Sequence, residues 1–137
     1  MKIITTHQKN HLLEQPLEHL HQESIEWLDE IAFWKDEVAF LYKVIRQKTQ
    51  QNPTEMKSIK MKELERELLH ISTDELEVLM DGIELHERYL SRVLDNIQLD
   101  ESHYRFKHRR LSLKMMKFRD HFKALKRKIF ELVVRVG

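Results

Sequence analysis

Nine histidines in a chain that has no cysteine make imidazole the first chemistry to consider. His7 and His11 come first, His19 and His21 follow beside Glu18 and Glu23, and His86, His103 and His108 stand further along. Folding the chain into an up-down-up helical bundle gathers His19, His21, His86, His103 and His108 near one end, where neutral imidazoles with carboxylates suit zinc or iron. The candidate ligands are His19, His21, His86 and His108. Glu18 with His21, and Glu67 with His70, also stand at the i, i+3 spacing that offers a carboxylate and an imidazole to one ion. An antiparallel hairpin, however, places Glu18 opposite residues near 86 rather than near 70, so the two pairs do not share a site within one chain. The chain also lacks a ladder of ligands spread over four inward-facing helices. For a buried histidine the competing expectation is an ordinary hydrogen bond, and no cofactor is expected.

The second candidate chemistry is electrostatic. Residues 103–128, HYRFKHRRLSLKMMKFRDHFKALKRK, interleave bases with aromatics, a pattern that suits a phosphate backbone, with Arg109, Arg110, Lys114 and Lys117 as the residues to bind nucleic acid. Residues 1–99 hold 12 Lys/Arg against 19 Asp/Glu, and residues 100–137 hold 12 against 4. The near-neutral whole therefore hides an acidic part followed by a basic one. Helix 1 carries most of its acids between Glu14 and Glu37, with Lys35 as the only base there. In an up-down-up bundle the first and third helices are parallel neighbours, so acidic and basic flanks meet and help choose which helix lies beside which. Catalysis has no comparable support, because the chain shows no glycine-rich phosphate loop, no nucleophile elbow and no nucleophile, base and orienter set. The chain is expected not to be an enzyme.

The elements that must position these residues are helices. Two glycines, two prolines and 34% charged residues in 137 leave little turn material for sheets, and the length suits one domain. Residues 1–15 are expected to be a flexible or short helical arm, and 16–137 a single helical bundle. The arm lacks the apolar core of a signal peptide and no run is long enough to span a membrane, so a soluble, cytoplasmic protein with no membrane partner is expected.

Pro16 suits the start of a first helix that runs to about residue 50, where Gln50, Gln51, Asn52, Pro53 and Thr54 break the pattern. In the second helix, from residue 55 to about 98, Met61, Leu64, Leu68, Ile71, Val78, Leu79, Ile83, Tyr89 and Leu90 keep one phase, over about 65 Å at 1.5 Å per residue. Ser72 and Glu75 stand at capping-box spacing, so the alternative is four helices with a break near residues 71–74. One helix, kinked at most, is the favoured reading because the phase survives the junction. Gly82 in that stripe reads as a point of close helix approach. Asp100 is an N-cap for a third helix, whose stripe includes Tyr104, Leu111, Met115, Phe118, Phe122, Leu125 and Ile129. The sum is an all-α, elongated antiparallel bundle of three long helices.

Within the first helix, Leu17, Leu20, Trp27, Leu28, Ile31, Trp34, Val38, Leu41, Tyr42 and Ile45 make one broad apolar face. Phe33, Phe40 and Val44 point the other way, among Glu26, Glu30 and Glu37. A helix with apolar residues on two sides calls for a second cover. The sequence therefore predicts a non-enzymatic interaction or assembly protein that binds through Phe33, Phe40 and Val44, as a homodimer or to a helical protein partner. Nucleic-acid binding and metal binding are the alternatives.

Overall fold

The computed structural model describes residues 16–51, 55–95 and 100–136. The expected arm at 1–15, the first turn at 52–54 and most of the second at 96–99 lie outside these. Helix α1 is Leu17–Gln51, and the Pro16 carbonyl accepts the amides of His19 and Leu20, which anchors its first turn. Helix α2 is Glu55–His70, a π-helical turn follows over Ile71–Glu75, and α3 is Leu76–Leu94. Helix α4 is Glu101–Val136 and is capped as expected, with Asp100 Oδ1 accepting the Ser102 amide at 2.9 Å.

The second rod is thus helical throughout its described length, without the capping box. Neither end of the π turn has a side-chain cap, and the Thr73 hydroxyl donates instead to the Leu69 carbonyl one turn back at 2.8 Å. The cause is a spacing. Buried residues recur at Leu64, Leu68 and Ile71, and then at Leu76, Leu79 and Ile83, which leaves a five-residue step between Ile71 and Leu76. An α-helix accommodates steps of three or four, and a turn with i→i+5 bonds absorbs the extra residue and keeps the stripe on the core. This corrects the expected stripe at one position, because Leu76 is buried while Val78 is 66% exposed.

Cross-helix ion pairs record the topology. Glu30 with Arg119 and Glu37 with Lys126 advance together, so α1 and α4 are parallel; Lys35 with Glu77 and Arg46 with Glu65 run oppositely, so the middle rod is antiparallel to α1. The core lies between the three rods, with Trp34 of α1 set against Phe118 and Phe122 of α4 at ring-centroid distances of 4.7 and 6.5 Å. Gly82 is not a point of forced approach. A methyl group there would meet only the Leu111 Cδ2 atom, at an ordinary 3.6 Å. Gly82→Ala is therefore expected to stabilise the fold by about 0.5–1 kcal/mol, the helix-propensity difference, as a rise in the urea midpoint. A fall would mean that α3 and α4 pack more closely than this contact indicates.

Candidate functional site

Three features offer chemistry or contact: a polar layer inside the bundle, the outer face of α1, and the groove between the middle rod and α4.

The polar layer separates two apolar clusters. Leu20, Leu90 and Tyr104 form the smaller, and the main core begins beyond Trp27, Ile83 and Leu111. Between them Ser24, His86 and His108 occupy the buried position of each rod. His108 Nε2 lies 2.8 Å from Glu23 Oε1, and His108 Nδ1 lies 3.0 Å from His86 Nε2. Burial, the largest influence on both imidazoles, disfavours their charged forms: His86 is lowered to about 4 and His108 is lowered as well. Neighbouring positive charge, from His108, Lys107 and His103, adds to this at His86, whereas Glu23 works against it at His108.

Two neutral rings next to a carboxylate permit one proton arrangement. The Glu23 carboxylate only accepts, so His108 Nε2 carries hydrogen; His108 Nδ1 then accepts from His86 Nε2, which leaves a lone pair on His86 Nδ1. The rings are fixed by stacking, His108 on Trp27 at 4.5 Å and His86 on Tyr104 at 4.1 Å with planes 1° apart. Burial raises the Tyr104 phenol, with nearby Glu87 adding to the effect, and raises the Glu87 carboxyl against the opposing pull of His21. Ser24 Oγ and Tyr104 Oη are fully buried, with the Ser24 hydroxyl set against the Tyr104 phenol. The hydroxyls nearest the imidazole chain are thus closed off from an incoming substrate.

Of the candidate metal ligands, the fold joins only His86 with His108. His21 Nδ1 is 2.8 Å from Glu87 Oε1, and His19 is exposed. Among the described residues no group of three or more histidine, aspartate or glutamate side chains is placed to hold a metal ion.

Among the described residues nothing covers the outer face of α1. Phe33 is 61% and Phe40 63% exposed, while Val44 is half-buried at the edge of the face. Ala32, Asp36, Ala39 and Lys43 are exposed with them. On a helical wheel Asp36 lies at the centre of this face, opposite the buried Trp27 and Ile45.

The bases of α4 divide between two flanks. On one, Arg119 donates two bonds to Glu30 at 2.7 and 2.8 Å and Lys126 reaches Glu37 at 3.0 Å, the meeting of acidic and basic flanks that the charge pattern predicts. The Arg119 guanidinium is raised chiefly by its hydrogen bonds to Glu30. On the other, Arg110, Lys114 and Lys117 are exposed along the groove facing the middle rod, and no salt bridge joins them to a described acid. Arg109 is exposed but does not line that groove.

The sequence singles out the two imidazoles and places Glu23 at the same histidine-rich end, but it does not point to Ser24 as their neighbour. The available signal was a gap in the apolar stripe of α1, where a serine fills the buried position between Leu20 and Trp27. Among the described residues no helix is long and apolar enough to cross a membrane. The chain matches no protein-family model, no curated protein and no solved structure.

Proposed function

We propose that this protein is a non-enzymatic assembly module that pairs with a second copy of itself through the outer face of α1. The observation that carries this reading is a self-complementary order of residues around Asp36. If two α1 helices meet antiparallel across a two-fold axis at Asp36, Phe33 falls opposite Ala39 of the second copy and Phe40 opposite Ala32. Each ring then has a small residue to pack over. The same register places Asp29 against Lys43 and Glu26 against Arg46, pairings of opposite charge that a parallel arrangement does not give. Every equivalent pair is made twice, as a two-fold interface requires.

One helix from each copy makes a contact at the small end of stable interfaces, so the pairing is expected to be micromolar and concentration-dependent. Asp36 meets its own copy on the axis, a like-charge contact that weakens the pair. Sedimentation equilibrium across a concentration series tests the reading. Wild type is expected to shift from monomer to dimer, Phe33→Glu with Phe40→Glu to stay monomeric at unchanged helicity, and Asp36→Asn to dimerise more tightly. Two carboxylates on each copy are expected to weaken association by at least about two orders of magnitude, near 3 kcal/mol. A folded double variant with an unchanged mass distribution would remove the proposal, as would a wild type that is monomeric throughout.

A further inference from the structure

The groove on the far side of the bundle from the outer face of α1 also has two dissimilar walls. It consists of three linked depressions between the middle rod and α4, of about 830, 520 and 340 Å³, the first two sharing His70 and the last two sharing Lys114. Such a trough lies where a fourth helix would complete a four-helix bundle.

Its walls specify the occupant. From α4, Lys107, Arg110, Lys114 and Lys117 enter at alternating steps of three and four, all exposed and none in a salt bridge to a described acid. From α3, Val78 and Leu85 face the groove one heptad apart, 66% and 60% exposed, with Tyr89 beyond them. The smallest depression has no carboxylate in its lining. In the middle one, Asp74 is held by His70 at 2.8 Å and Glu75 lies 3.9 Å from His121. Acids become frequent only in the largest depression, with Glu63, Glu67 and Glu131.

We infer that the half of the groove from His103 to His121 is a docking site for an acidic amphipathic helix of a partner protein. Its apolar stripe would lie on Val78 and Leu85 while its carboxylates face Lys107, Arg110, Lys114 and Lys117. At 1.5 Å per residue this stretch of α4 seats about 27 Å of helix, or roughly 18 residues. The apolar wall favours a helix over a phosphate backbone, which would use the cations and leave Val78 and Leu85 in water. The occupant differs from the second copy proposed above, whose contact is on α1.

The probe is a labelled 21-residue peptide with leucine at i, i+3, i+4 and i+7 and with glutamate and alanine elsewhere, followed by fluorescence anisotropy with the full chain. The expected result is saturable binding that weakens with salt. Lys107→Glu with Lys114→Glu should weaken it about tenfold or more, Leu85→Asp likewise, and Lys123→Glu, exposed on α4 outside the groove, should leave it unchanged. A lysine-for-glutamate version of the peptide should bind the charge-reversed variant and not the wild type. Helicity and chemical denaturation confirm that each variant is folded. No binding of the acidic peptide, equal binding of both peptides to wild type, or binding indifferent to Leu85→Asp would overturn the inference. So would a single-stranded 20-nucleotide DNA that binds these cations and is not displaced by the peptide.

Discussion

Lowering the pH from 7 to 4 is expected to remove on the order of 3 kcal/mol from the stability of the fold, because of the buried imidazole layer. The sign follows from His86. In the unfolded chain it takes a proton near the ordinary histidine value of 6.5, whereas in the bundle it resists protonation until about pH 4. Between these values the unfolded state binds more protons than the native state, so stability falls as pH falls through that window. Above pH 7 neither state is protonated and there is no penalty. His108, also lowered, adds to the loss, and Glu87 opposes it, since its raised carboxyl takes up a proton in the native state first.

Urea denaturation at pH 7, 5.5 and 4 measures the slope, and His86→Gln isolates its source. The glutamine amide still donates to His108 Nδ1 but does not titrate. The variant should lose stability less steeply than wild type over the same range, even where exposed carboxylates contribute to both. An identical slope in the two proteins would show that acid acts elsewhere than on this layer.

The polar layer also marks where sequence reading stops. Each apolar stripe was legible because its period is set within one helix, so α1 and α4 appear nearly as expected, and Asp100 caps α4 by a local rule. The pairing of His86 with His108 depends on the relative register of two helices, which no local spacing encodes. Five histidines were expected at one end of the bundle, but which two would touch was not given. The π turn was legible in part: the five-residue step from Ile71 to Leu76 was present in the sequence, yet Val78 is apolar and stands close enough in phase to take the place of Leu76. Glu75 was misread for the same reason, since a Ser-x-x-Glu spacing looks like a helix start when the continuity of the rod is not known. Of the groove, the cations Arg110, Lys114 and Lys117 were legible, but the facing wall of Val78 and Leu85 was not, because it depends on how the middle rod sits against α4.

Trp34→Ala and Phe33→Ala are neighbouring truncations of aromatic residues, and they are expected to have opposite consequences. Trp34 is 6% exposed and packs on Phe118 and Phe122, so removing it leaves a cavity between α1 and α4 and costs about 3–5 kcal/mol. That is a large part of the roughly 5–15 kcal/mol that holds a domain together, and the variant should melt far below wild type or be unfolded at 37 °C. Phe33 is 61% exposed, so its truncation should change monomer stability by no more than about 0.5 kcal/mol while weakening association. Measuring melting at a concentration where wild type is monomeric, and mass where it is dimeric, separates the two effects. The contrast tests the orientation of α1 directly, because a rotation of this helix by one residue, about 100°, would bring Phe33 into the core and move Trp34 to its edge. If Phe33→Ala proves the more destabilising in the monomer, the core described here faces the wrong way and the proposed pairing surface is lost with it.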